Sequence, residues 1–197
     1  MDQWLMIVFR QLFLYCLPVI VSLILVVQIE SRLTGTAVPH PFFAIKWRGT
    51  WLPFLAAIAL HRAIIIALPN SVSGGVKAAA VRAGAHVLLC LLGFLLFSYS
   101  LSNHESPGIS SFQHWWAKVL MFFNLCVVAL HLLPLPGLLV GEYLARSGLG
   151  DYFKPWFNRE LGWKVLTVLA ATPLLDLILG GYVILPVYHW LSEVATP

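Results

Sequence analysis

The chain has 197 residues, 60% of them hydrophobic and only 10% charged, with a formal net charge of +4. Soluble domains average about 45–50% apolar and about 25% charged residues, so twelve basic and eight acidic side chains cannot cover a water-soluble globule of this length. Ordinary cytosolic, disordered and disulfide-stapled classes are excluded, which leaves an all-α integral membrane protein, a single transmembrane domain over 1–197 in contact with the lipid bilayer.

A helix that crosses about 30 Å of hydrocarbon needs about 20 apolar residues. Five transmembrane helices are predicted, over 4–27, 51–68, 83–101, 119–141 and 165–191. The first has Arg10 near its start, where a long cation can snorkel. Its length and the lack of a small-residue cleavage site argue against a cleavable signal peptide. The second carries His61 and Arg62, and the third follows Lys77 and Arg82. The fourth has no charge before Glu142 but contains Pro134 and Pro136, whose rings clash with carbonyls one turn back; it should end or bend sharply between His131 and Gly137. The fifth is long and interrupted by Asp176, Gly180, Gly181 and Pro186, so it should tilt or break. Trp4, Trp47, Trp51, Trp115, Trp116, Trp163 and Trp190 fall at the proposed ends, as interfacial anchors do.

Charge sets an expected orientation. The connections 70–82 and 142–164 carry Lys77, Arg82, Arg146, Lys154, Arg159 and Lys164, against Arg32, Lys46, Arg48 and Lys118 on the other side of a five-helix chain. That bias predicts a cytoplasmic N-terminus and a C-terminus on the opposite side. No basic run or basic helix face exists, so no nucleic-acid partner is expected. Cys16, Cys90 and Cys126 lie in apolar runs without ligand spacing, as small apolar residues do.

No phosphate-binding loop, nucleophile elbow, dinucleotide fingerprint or paired-cysteine zinc spacing is present. The ionisable groups expected at membrane depth are His61, Arg62, His86, His131, Glu142 and Asp176. Such burial is costly, and each group is a functional candidate by default. One histidine on each of three consecutive helices allows a zinc site of His61, His86 and His131, with Glu142 as catalytic base, or haem ligation by two of the three. The other reading is that each histidine separately holds a backbone group or faces a polar cavity. Arg62 beside His61 opposes a divalent metal. Glu142 is either its counter-ion or a helix-end residue beside Arg146. Asp176 either caps backbone freed near Gly180 or pairs with a neighbouring helix.

The string Phe123-Asn124-Leu125, followed by Ala129-Leu130-His131-Leu132-Leu133-Pro134-Leu135-Pro136-Gly137-Leu138, resembles the N-L-L-P-x-P-x-L-D-G motif of the site-2 protease family, the intramembrane zinc metallopeptidases. Arg82-Ala83-Gly84-Ala85-His86-Val87-Leu88 is similar to the A-G-P-x-A-N segment before that family's middle core helix. The resemblance covers roughly residues 51–145 and implies a three-helix core with 51–68 as its first helix. It does not extend to the catalytic residues. The family's H-E-x-x-H is matched only by His61 of His61-Arg62-Ala63-Ile64-Ile65, and Leu139 stands where the ligand aspartate would be.

The expected function is therefore that of a degenerate, non-catalytic member, a scaffold or accessory subunit binding transmembrane helices of a partner complex, with no cofactor favoured. Gly84-Ala85 and Gly180-Gly181 would allow close helix approach. An unorthodox metalloprotease and a haem-binding redox subunit are the alternatives.

Overall fold

A computed structural model describes residues 2–102, 112–147 and 159–195. Among these the chain is all helix and loop: α1 (Asp2–Thr34), a short 3-10 turn (Pro41–Ala44), a π turn (Trp47–Trp51) running into α2 (Leu52–Ala59), α3 (Val76–Ser102), α4 (Phe112–Leu130), α5 (Leu139–Arg146) and α6 (Arg159–Ala171). A π-helical stretch (Asp176–Ile184) then continues into α7 (Leu185–Ala195). Four helical segments among the described residues are long and apolar enough to cross a membrane: Gln3–Thr34, Val76–Ser102, Phe112–Leu130 and Asp176–Ala195.

The segment predicted as the second crossing is not a continuous helix. Helix α2 stops at Ala59, the chain turns at Leu60 and His61, and residues 62–70 return in extended form beside the helix they came from. The Leu68 amide donates to Gly49 O at 3.2 Å, the Asn70 amide to Ala44 O at 2.9 Å and the Thr50 hydroxyl to Leu68 O at 2.7 Å. The segment therefore enters and leaves at one end of the bundle, a re-entrant hairpin. Extended backbone is tolerated at membrane depth only inside protein, and Ile64, Ile65, Ile66 and Ala67 are all buried.

Helices α1, α3 and α4 pack together. Asn124 of α4 meets Ser22 of α1 and His86 of α3 near the middle. A Cβ on Gly93 would lie 2.5 Å from Met121 N, so only glycine lets α3 and α4 approach this closely. Gly84 and Gly181, expected to admit helices of a partner, have nothing within 4 Å of a Cβ and face outward.

Helix α4 ends at Leu130, as the proline pair requires. A turn through residues 131–138 follows, with Gly137 at φ +82°, and α5 folds back so that the Val140 amide reaches His131 O. The predicted 165–191 crossing is broken as well: α6 ends at Ala171, Pro173 follows, and the helix resumes near Leu174. The first and third crossings are longer than expected, reaching Thr34 and starting at Val76.

Direction follows from contacts. Phe13 lies against Phe112, ring centroids 6.1 Å apart, so α1 and α4 run parallel. Tyr188 lies against Phe122 at 5.2 Å, and the last crossing runs antiparallel to α4. Asp2 and Ala195 thus lie towards the same end of the described helices. The other, entry end holds the C-terminus of α1, both arms of the hairpin, the start of α3 and α5. Residues 148–158 of the 142–164 connection, Lys154 among them, lie outside the described residues. Single cysteines replacing Ala37 and Lys77 should accordingly label from the same side of a sealed vesicle, whereas a five-crossing chain would expose them on opposite sides.

Candidate functional site

The polar groups of the interior gather at the entry end, where the hairpin and the α4–α5 break both interrupt helix. Glu30, near the C-terminus of α1, is wholly buried and pairs with Arg82 of α3, Oε1 to Nη1 at 2.6 Å. The same Glu30 oxygen accepts from the Ser73 amide at 3.2 Å and its hydroxyl at 3.0 Å. Arg82 in turn donates to Ser73 O at 3.2 Å and Gly137 O at 2.9 Å. One ion pair thereby ties α1, the end of the hairpin, α3 and the break together.

Glu142 completes the junction. Its two oxygens accept from the Gly75 and Gly137 amides, each at 3.0 Å. A carboxylate that holds two backbone amides is engaged as a positioning group, which argues against the catalytic-base alternative for Glu142. His131, buried at the head of the break, accepts the Leu139 amide on Nδ1 at 3.1 Å. A ring nitrogen that accepts carries no proton, so His131 is neutral with its proton on Nε2.

Deeper in the core, His86 Nδ1 lies 2.7 Å from Asn124 Oδ1, and Asn124 Nδ2 donates to Ser22 Oγ at 3.0 Å and Leu120 O at 2.8 Å. His86 Nε2 and Glu30 Oε2 are buried and make no hydrogen bond among the described residues. The His86 and His131 rings are 6.4 Å apart. His61 is elsewhere. It is exposed at the hairpin tip with φ +51°, its ring 6.3 Å from that of Trp4. Of the three histidines of the alternative zinc site, His86 and His131 approach each other, while His61 is a turn residue, a role in which His is several-fold enriched at positive φ. The nitrogens left to hold an ion are the Nε2 atoms of His86 and His131, with the Arg82 cation one turn before His86. Among the described residues, no three His, Cys, Asp or Glu side chains are grouped to hold a metal.

Arg62 and Asp176 also bind backbone. Arg62 Nε donates to Ala171 O at 3.1 Å, the carbonyl left open where α6 ends. Asp176 accepts the Ile64 amide at 3.0 Å. It caps the hairpin's extended arm, not the glycine pair of its own helix. Proline stands at both predicted positions of the break, and Pro136 lines a cavity of about 150 Å³ between the hairpin, the break and α6, into which Arg82 and His131 also face.

Sequence reasoning missed Ser22, Glu30 and Asn124 as site residues. Glu30 falls outside the predicted first helix because the apolar run thins after Val27; among the described residues it and Arg82 are the buried carboxylate and the buried guanidinium.

An all-α fold with four apolar helices of crossing length and its polar groups turned inward defines a multi-pass membrane protein. Comparison with known proteins carries the assignment no further: no family model matches, nor does any curated protein or solved structure.

The junction has a measurable consequence. Removing one partner of a buried pair leaves an uncompensated charge and costs about 3–5 kcal/mol, whereas replacing both by apolar side chains is often close to neutral. Arg82→Met should therefore lower stability against unfolding in micelles more than the double variant Glu30→Leu/Arg82→Met does. Additive losses would show that the two side chains act independently.

Proposed function

We propose that this chain is a non-catalytic membrane protein that serves as a scaffold or accessory subunit, binding transmembrane helices of a partner complex. The observation that carries the reading is the occupancy of the core face of α1. Ser22 and Val26, one turn apart and both fully buried, face α3 and α4. In a site-2 protease core, histidines spaced i and i+4 on the first core helix would occupy such a face. With α1 as that helix, in place of 51–68, the resemblance now rests on the α1–α3–α4 packing, on the Leu133-Pro134-Leu135-Pro136 break and on Asn124 at the centre. Serine and valine there bind no zinc, Leu139 replaces the third ligand, and the remaining polar atoms hold each other and the backbone.

The outer surface supports a binding role. Apolar side chains such as Phe9, Phe13, Leu88, Leu95 and Tyr182 project from it, and Gly84 and Gly181 leave open backbone where another helix can approach closely.

The orientation follows the same reading. Arg32, Lys46, Arg48, Lys77, Arg146 and Lys164 lie at the entry end, against Arg10 and Lys118 towards the other. The positive-inside rule then puts the entry end in the cytoplasm and both termini across the membrane.

The test is purification in mild detergent. A stoichiometric membrane partner should co-purify without zinc or a haem absorbance, and His61→Gly, which relieves positive φ, should leave folding and partner binding intact. One bound zinc per chain, lost together with peptide cleavage in His86→Ala, would overturn the proposal. Cysteines at Ala37 and Lys77 that label only from outside would overturn the orientation.

A further inference from the structure

Among the described residues Arg82 is the entry-end cation with a carboxylate partner, while Lys46 and Arg48 have none. Among the described residues the carboxylates there are Glu30 and Glu142. The first is closed on Arg82 and Ser73, the second on the Gly75 and Gly137 amides. Lys46 and Arg48 are exposed and rest on aromatic faces instead, Lys46 over Phe43 at 5.7 Å and Arg48 over Trp163 at 5.5 Å.

Around them the surface is shaped and partly apolar. Lys46, Arg48, Thr50, Asn70, Ser71 and Trp163 line a recess of about 290 Å³ between the two arms of the hairpin and the start of α6. It adjoins the 150 Å³ cavity over Arg82 and His131, with which it shares the lining residues Gly49, Leu68, Pro69, Ser71 and Trp163. Beside its rim Val38, Phe42, Phe43 and Trp47 stand 43–74% exposed. Aromatic residues interleaved with cations at a helix end mark the depth of lipid head groups, and basic pockets between transmembrane elements at this depth take anionic head groups.

We propose that this recess is a binding site for the phosphate of an anionic phospholipid. Lys46 and Arg48 supply the charge, the Ser71 hydroxyl stands beside them as a donor, and Trp163 forms a wall shared with the inner cavity. The exposed aromatics of 38–47 bring the recess to the level of the phosphates. A free phosphate offers the same oxygens without the anchoring depth.

The test uses the full chain in nanodiscs of phosphatidylcholine doped with phosphatidylglycerol, with retained lipid counted by native mass spectrometry. Lys46→Gln/Arg48→Gln should lower retention of phosphatidylglycerol by roughly fivefold for each charge removed. Lys77→Gln/Arg146→Gln, the same loss of charge at the same end but outside the recess, should change it less than about twofold, because attraction to a bound head group falls off within a Debye length. Lys46→Arg/Arg48→Lys should retain the lipid and so separates loss of charge from loss of fold. Equal losses in both Gln pairs would mean diffuse attraction and would overturn the site. No loss in either would do so too. Displacement of the lipid by millimolar inorganic phosphate would assign the recess to the free anion rather than to a lipid.

Discussion

Lipid supplies no hydrogen bonds. Every backbone amide or carbonyl that leaves a helix inside the bilayer must find a partner within the protein, at a cost of several kcal/mol if it fails. Among the described residues the packed interior leaves helix at the arm after His61, the turn after Leu130 and the gap after Ala171. Polar side chains meet each one. Asp176 holds the Ile64 amide and Thr50 the Leu68 carbonyl, Arg82, Glu142 and His131 hold the break, and Arg62 holds the end of α6. The interruptions and the ionisable residues are two sides of one requirement.

That requirement changes the meaning of a charge at membrane depth. Intramembrane ionisable groups invite a catalytic or transport reading. Here Arg62, Glu142 and Asp176 each have a backbone partner at 3.0–3.1 Å, and the Glu30–Arg82 pair joins four segments. Apolar packing adds little specificity between helices in lipid, because the tails are as apolar as the side chains. Polar contacts and close approach, as at Gly93, therefore carry a large share of the specificity. The entry end is the ordered part of the architecture, and the face where binding is proposed is built on it.

The sequence made some of this legible and hid the rest for identifiable reasons. Three long apolar runs, the tryptophans near their ends and the Pro134–Pro136 break follow from hydropathy and from the missing proline amides. The hairpin was hidden because a continuous apolar run such as Ile64-Ile65-Ile66-Ala67 reads the same whether it is helix or buried extended chain. Its β-branched residues and Pro69 were the discriminating signals. Depth counting placed three histidines in one layer but gave no azimuth, and it assumed the helix that the hairpin replaces; His61 left the group for that reason. Glu30 lay beyond the apparent end of its span, and Asn124 passed as a motif letter when it is the residue that joins α1 to His86.

The central claim is that Arg82 couples the hairpin to the α4–α5 break. Hydrogen exchange read by mass spectrometry on the Arg82→Met chain in nanodiscs tests it most directly. Amides in 62–75 and 131–139 should lose protection together, by similar factors, while the middle of α3 stays protected. Loss confined to residues next to position 82, with the break unchanged, would contradict the account.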